Sequence, residues 1–290
     1  MLVQQLINGL SIGSIYALMA VGYSLIYSLL GFTNFAHSAT VIMGAYMGFF
    51  MLSKISLNIS LALMGAIILA SMLGIFIEIT TYRPLLNKNA KKIYLLIAGL
   101  GISTIGENIV IATVGGQYMP FPQIFPIQPI KIFGATVGVV DIIILAASVF
   151  ALILVEILIS RTKIGLAIRG ASYRLEATAI MGINVNKLII FVFALAGSLA
   201  GLAGFFLGVK YTAYPQLGSM TTKAFISAVF GGLGSVKGAM LGALILGIIE
   251  TLVSAYISSQ MRDIFAFALL VIVLLIRPTG IMGKINEDKA

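Results

Sequence analysis

Long apolar runs recur along this 290-residue chain, and their length decides the fold class before any motif is read. They fall at about 7–30, 35–53, 59–82, 93–115, 139–160, 188–208, 224–258 and 264–282. Crossing about 30 Å of hydrocarbon takes about 20 apolar residues in a helix. The chain is 60% hydrophobic and 9% charged, against about 25% charged in a soluble domain, so it cannot clothe a water-facing surface. Strands of alternating polar and apolar residues, the mark of a membrane barrel, are missing from the sequence. The expected architecture is an all-α integral membrane protein in a lipid bilayer. It is one transmembrane domain over 1–290, a polytopic helical bundle with about eight spans and one or two broken or re-entrant segments.

The run 224–258 is too long for one span and contains GGLGSVKG, Gly231–Gly238. Gly231, Gly232 and Gly234 mark a helix break, with a short or re-entrant helix before it and a full helix after it. The segment MLVQQLINGL has no basic leading stretch and no clear cleavage site, so its apolar run reads as a first membrane helix rather than a removed signal. There is also an internal echo. Thr33–Gly48 and Phe230–Gly247 each join a Gly- or Asn-rich break to a helix carrying Met or Leu and then Gly-Ala. Interrupted segments in two halves are a pattern of transporter repeats.

Charge supplies the orientation. Arg83, Lys88, Lys91 and Lys92 lie within 83–92, and Arg161, Lys163, Arg169, Arg174 and Lys187 lie within 161–187 against the single acid Glu176. Arg277, Lys284 and Lys289 lie within 277–290. Basic loops face the cytoplasm, which assigns all three regions there. The same asymmetry accounts for the net charge of +9 without a nucleic-acid partner. Placing 277–290 inside requires 224–258 to go in and come back out. The side of the N-terminus turns on whether Gly31–His37 is a full turn or a mid-membrane break. The opposite loop, 116–138, holds Pro120, Pro122, Pro126 and Pro129, which favour extended or turn structure. It reads as an ordered external loop, either a connector or a docking surface.

Small residues recur at four-residue spacing: Gly9, Gly13 and Ala17; Gly197 with Gly201, Ala200 with Gly204 and Gly204 with Gly208; Gly238 with Gly242 and Ala239 with Ala243. Such seams let helix backbones approach closely, either as fixed packing or as surfaces that slide. Polar residues inside the spans are candidates for a translocation path: Asn34, His37, Glu107, Asn108 and Glu250. An ionised acid at the bilayer centre costs about 3 kcal/mol on insertion scales and should face protein or water. Asn34 and His37 serve equally well as hydrogen-bond partners for a broken helix, and Glu107 and Glu250 as inter-helix bonds. Asp141 and Glu156 lie nearer span ends, at the interface.

No catalytic set is legible. GGLGSVKG lacks the Gly-Lys-Ser/Thr of a phosphate loop: Val236 precedes Lys237 and Gly238 follows it. One histidine and no cysteine exclude the common zinc sets, and no metal ligands are assigned. The loop 161–187 is different. Tyr173, Ala177 and Met181 fall at i, i+4, i+8 of a short helix bracketed by Gly170 and Gly182, with Arg169, Arg174 and Glu176 around an apolar patch. Such a knob fits a groove in a cytoplasmic partner or lies on anionic lipid.

Several stretches together resemble the permease subunits of branched-chain amino acid ABC importers, of the LivH-like kind. They are GLSIGSIYALMAVGYSLIY (Gly9–Tyr27), TNFAHSATVIMGAY (Thr33–Tyr46), YRPL (Tyr82–Leu85), EATAIMGIN within 162–187, AFISAVFGGLGSVKGAMLGALILGIIE (Ala224–Glu250) and RPTGIMG (Arg277–Gly283). The resemblance implies a multi-pass protein of a bacterial or archaeal cell (inner) membrane. It implies four kinds of partner: a second, homologous permease subunit, two cytoplasmic ATPase subunits, an extracytoplasmic solute-binding protein and an amino-acid substrate. ATP and magnesium would then belong to the ATPase subunits, and this chain would hold no cofactor. The loop with Arg169, Arg174, Glu176, Ala177 and Gly182 looks like the family's ATPase-coupling loop. One departure is NFAHSA, where family members commonly read NFAHGE, so no role of that acid carries over to Ala39. The rival from the residues alone is a stand-alone secondary transporter in which Glu107 or Glu250 carries a proton.

Overall fold

The computed structural model describes residues 2–55, 58–122, 130–132 and 135–283. Eight of its helical stretches are long and apolar enough to cross a bilayer. The helices are α1 (Leu2–Leu30), α2 (His37–Phe50), α3 (Ile59–Ile77), α4 (Arg83–Asn87), α5 (Lys92–Val114) and α6 (Val139–Arg161). They continue as α7 (Lys163–Tyr173), α8 (Leu175–Ile180), α9 (Val185–Tyr211), α10 (Thr221–Gly231), α11 (Val236–Tyr256) and α12 (Arg262–Ile276). A π-helical turn, Glu78–Tyr82, joins α3 to α4 without interruption. Pro84 follows at once and has no N–H to give the regular ladder, which widens the turn there.

The small-residue seams decide the packing order. A Cβ on Gly9 would stand 2.8 Å from Ile248 Cα, and one on Gly13 3.0 Å from Leu244 Cα, so α1 and α11 touch backbone to backbone. On α9, Gly197 and Gly201 press on the Ala70 and Ala66 carbonyls of α3, while Gly204 faces Val41 and Ala45 of α2. The seams are in close backbone contact in this conformation. Helix α1 is the buried centre, with 89% of its most apolar stretch covered. Helices α5 and α12 lie at the edge, with 11% and 6% covered.

Contacts at the two ends of the bundle settle the path of the chain. Near the start of α1, Ser11 donates to Asp141 Oδ1 at 2.9 Å, and Asp141 pairs with Lys210. The first turns of α1 therefore share a face with the start of α6 and the end of α9. The end of α1 meets the start of α5, since a Cβ on Gly31 would lie 3.8 Å from Lys92 Nζ. The start of α1 is thus on the face opposite the basic segments 83–92 and 161–187. Gly31–His37 is both a turn and a mid-bundle break. The chain reverses at Gly31 and runs back without helix, and His37 reaches the level of Gly22. That level is about 12 Å above Leu30 at 1.5 Å per residue.

The second break behaves as expected. Helix α10 stops at Gly231, Gly232 and Gly234 take φ of +110° and +87°, and Ser235 caps α11 by accepting from Gly238 N at 3.1 Å. The chain beyond α12 returns to this break. Ile281 N donates to Phe230 O at 3.0 Å and Met282 N to Gly231 O at 2.9 Å, satisfying carbonyls that the end of α10 leaves open. So 215–231 runs inward, α11 runs back out, and α12 brings the end of the chain to the basic face. Both breaks of the internal echo therefore sit between an inward and an outward segment.

On the outer face, β1 (Ile130–Ile132) pairs antiparallel with β2 (Ala135–Val137), a small departure from all-helical structure. Met119 and Ala213 exchange backbone hydrogen bonds, and Phe121 packs on Phe205 and Phe49. This ties the start of the Pro-rich loop to α9. Pro126 and Pro129, with Lys284 and Lys289, fall outside the described residues.

Candidate coupling surface and membrane-embedded polar sites

The basic loop 161–187 is built as a helical elbow. At its entry, Thr162 caps α7 by accepting from Gly165 N at 3.0 Å. A Cβ on Gly165 would collide with the carbonyls of Leu158 and Ile159, so only glycine permits so sharp a turn out of α6. At its exit, Gly182 takes φ +84°, a left-handed conformation that favours glycine. Asn184 then caps α9 by accepting from Lys187 N at 3.1 Å.

Between these ends the structure corrects the expected single helix. Arg174 is extended, at φ −148° and ψ 117°, and divides α7 from α8. Tyr173, Ala177 and Met181 are therefore not one helical face, and Gly170 lies within α7 rather than at a terminus. Thr178 is buried against α7, and a Cβ on Gly170 would come within 3.8 Å of its Oγ1. A small residue at 170 lets α8 fold back there. The apolar knob survives in a different form: Ile180 is 88% exposed, Met181 81% and Tyr173 65%. Arg169, Arg174, Glu176, Ala177 and Gly182 are all exposed around it.

Among the polar residues of the bundle, Asn34 and His37 come together and are buried. Asn34 Oδ1 accepts from the Tyr82 hydroxyl at 2.6 Å and from Ala36 N at 3.1 Å. It ties the first break to the π-helical turn. The ring of His37 lies 4.7 Å from that of Tyr23, and its Nε2 has no hydrogen-bond partner among the described residues. Ser38 meets Ser103 of α5 side chain to side chain and also donates to Phe35 O at 3.3 Å.

Glu107 and Asn108 stand apart from that cluster, on the sparsely covered helix α5. Glu107 is half-buried, and Asn108 is exposed and donates to Thr104 O of its own helix at 2.8 Å. Glu250 is 2% exposed near the outer end of α11. It pairs with Lys223 and lies 3.5 Å from Arg262 Nε, and Lys223 also reaches Asp263 at 2.9 Å.

Sequence reasoning passed over Glu78, which is buried and accepts twice from Arg83, at 3.0 and 2.6 Å. Its signal was an acid five residues before an arginine at the end of a span. It also missed that Lys210, Lys223 and Arg262, three cations at the outer ends, each pair with an acid.

A family model described as the branched-chain amino acid transport system / permease component matches residues 5–274. The chain belongs to this family. It is 36% identical over 300 residues to the high-affinity branched-chain amino acid transport system permease protein LivH of Escherichia coli, covering 99% of this chain and 97% of that one. To the corresponding protein BraD of Pseudomonas aeruginosa it is 35% identical, with the same coverage. Among solved structures, PsaBC from Streptococcus pneumoniae in complex with Fab is similar in fold, with a TM-score of 0.51 and 14% identity. That match covers 95% of this chain and 91% of the other. The relatives are transport permeases rather than enzymes. As a family member, this chain is a multi-pass transport permease.

Within the family frame the sequence departures acquire positions. Ser38, which stands where glycine is common, sits where α2, α5 and the 3-10 turn Pro215–Met220 meet: a Cβ on Gly218 would be 3.1 Å from Ser38 Cβ. The RPTGIMG stretch is the segment that hydrogen-bonds to the end of α10.

Proposed function

We propose that this permease is one membrane subunit of an ATP-driven importer for branched-chain or related amino acids. It resides in a bacterial or archaeal cell membrane. A second, homologous permease covers its open side, two cytoplasmic ATPases bind magnesium and ATP, and an external solute-binding protein delivers substrate. The observation that carries this reading is the knob of Tyr173, Ile180 and Met181 on the basic face. Large apolar side chains standing in water mark a protein contact, and a knob on two short helices suits a groove in a partner. Helix α5 supports the second permease. Thr104 and Asn108 are exposed on it and Glu107 is half-buried beside them, and lipid is a poor neighbour for an acid and an amide.

ATP binding closes the ATPase pair, and the motion passes through α7 and α8 into α6 and α9. A ligand shifts such an equilibrium only by binding its two states differently. Uptake therefore depends on how firmly the knob is held. The test is Ile180→Asp, a fully exposed position whose change leaves the bundle untouched. The variant should enter the membrane at the normal level, lose co-purification of the ATPases and lose ATP-dependent leucine uptake. Leucine uptake by the purified chain alone, driven by a proton gradient, would instead support the stand-alone carrier with Glu107 or Glu250.

A further inference from the structure

On the outer face, the start of α1, the end of α9, the end of α11 and the start of α12 enclose a pocket of about 250 Å³. That is just below the roughly 300–1,000 Å³ that holds drug-sized ligands, and it suits a small metabolite rather than a peptide. Its polar side is Glu250, Arg262 and Ser254 with Gln5 and Thr251, and its other side is Ile12, Ala255 and Tyr211. The two charged groups are incompletely satisfied. Glu250 Oε1 meets Lys223 and Arg262, while Oε2 is buried with no hydrogen-bond partner within 3.5 Å among the described residues, and the buried Tyr16 hydroxyl faces this carboxylate. Arg262 gives one Nη2 hydrogen to Ser254 Oγ at 3.2 Å, and its buried Nε, 3.5 Å from Glu250 Oε1, makes no hydrogen bond among the described residues. Around them Glu250, Asp263, Lys223 and Arg262 balance in charge. A lone cation or a lone anion would unbalance this cluster, whereas a zwitterion leaves it neutral.

The geometry points to this pocket as a binding site for a free α-amino acid. The ammonium group pairs with the Glu250 carboxylate, the carboxylate accepts from Arg262 and Ser254, and an apolar side chain rests on Ile12, Ala255 and Tyr211. This inference rests on the importer reading and adds a station on the outer side within one permease, separate from the delivering protein.

The experiment uses the importer purified with its co-expressed partners in lipid nanodiscs and without the solute-binding protein. Equilibrium binding is measured for L-leucine, for L-leucinamide, which lacks the carboxylate, and for 4-methylpentanoate, which lacks the ammonium. Saturable leucine binding is expected. Each analogue, and leucine with Arg262→Met, should bind about tenfold or more weakly, the size of one lost charge-assisted hydrogen bond.

A second readout does not depend on how well that variant folds. The chain has no cysteine, so Ala255→Cys supplies a single thiol at the pocket. Leucine, but not leucinamide, should slow its labelling by an impermeant maleimide. No saturable leucine binding, equal binding of both analogues, or labelling indifferent to leucine would overturn the inference. Uptake of leucine with the solute-binding protein present is measured in parallel. Uptake without pocket binding removes the pocket and leaves the importer reading, and absence of uptake strikes the importer reading itself.

Discussion

At the scale of single residues, the polar groups of this permease divide by what they bond. Asn34 holds two donors, the Tyr82 hydroxyl and Ala36 N. Replacing it with alanine leaves both buried without an acceptor, at a cost of about 1–3 kcal/mol for each stranded group. Asn34→Ala should lower the melting temperature of the purified protein by several degrees, and an unchanged melting curve would mean that this pair does not brace the first break. The sequence showed Asn34 and His37 as a pair beside a break and left open whether they serve a path or the backbone. The partner Tyr82 lies 48 residues away, so no spacing rule could find it. The outer ion pairs were illegible for the same reason. Lys210 meets Asp141 across 69 residues and Lys223 meets Glu250 across 27, and the sequence displays each charge alone.

At the scale of elements, legibility followed period and punctuation. The breaks at 31–37 and 231–238 were readable because glycine and asparagine interrupt apolar runs. The four-residue seams were readable because small residues in lipid have one physical use. What α9 contacts through its seam was not readable, since α2 and α3 both offer alanine and glycine. Gly201 is the tightest test: a Cβ there would already stand 2.5 Å from Ala66 O and 2.7 Å from Ala70 Cβ. Gly201→Leu should force α9 from α3 and abolish stable insertion, read as loss of the folded peak in detergent size exclusion. A folded Gly201→Leu protein would contradict the packing. The elbow of α7 and α8 was half legible. Its exposed apolar knob and its exit glycine were visible, but its division at Arg174 was not. No proline or glycine marks that point, and burial of Thr178 against α7 is a tertiary effect that outweighs local helix propensity.

At the scale of the whole molecule, the charge asymmetry reads more sharply in three dimensions. Lys210, Lys223 and Arg262 at the outer ends pair with Asp141, Glu250 and Asp263, whereas 161–187 holds five basic residues to the single acid Glu176. This strengthens the assignment of 161–187 to the cytoplasm and puts the start of α1 outside. The chain has no cysteine, so Leu2→Cys should be labelled by an impermeant maleimide in intact cells and Lys88→Cys only after permeabilisation. Labelling of both in intact cells, or the reverse order, would invert the topology.

The central claim is that force enters through the elbow, and it is tested most directly by counting ATP hydrolysed against leucine imported in proteoliposomes holding the complete importer. Glu176 opens α8 and is exposed, and Gly182 has open space around its Cβ position but a backbone that side chains disfavour. Glu176→Arg and Gly182→Trp should both insert normally and keep hydrolysing ATP while leucine uptake per ATP falls about tenfold or more, equivalent to about 1.4 kcal/mol or more of lost coupling. Uptake per ATP equal to the unaltered protein in both variants would contradict the account.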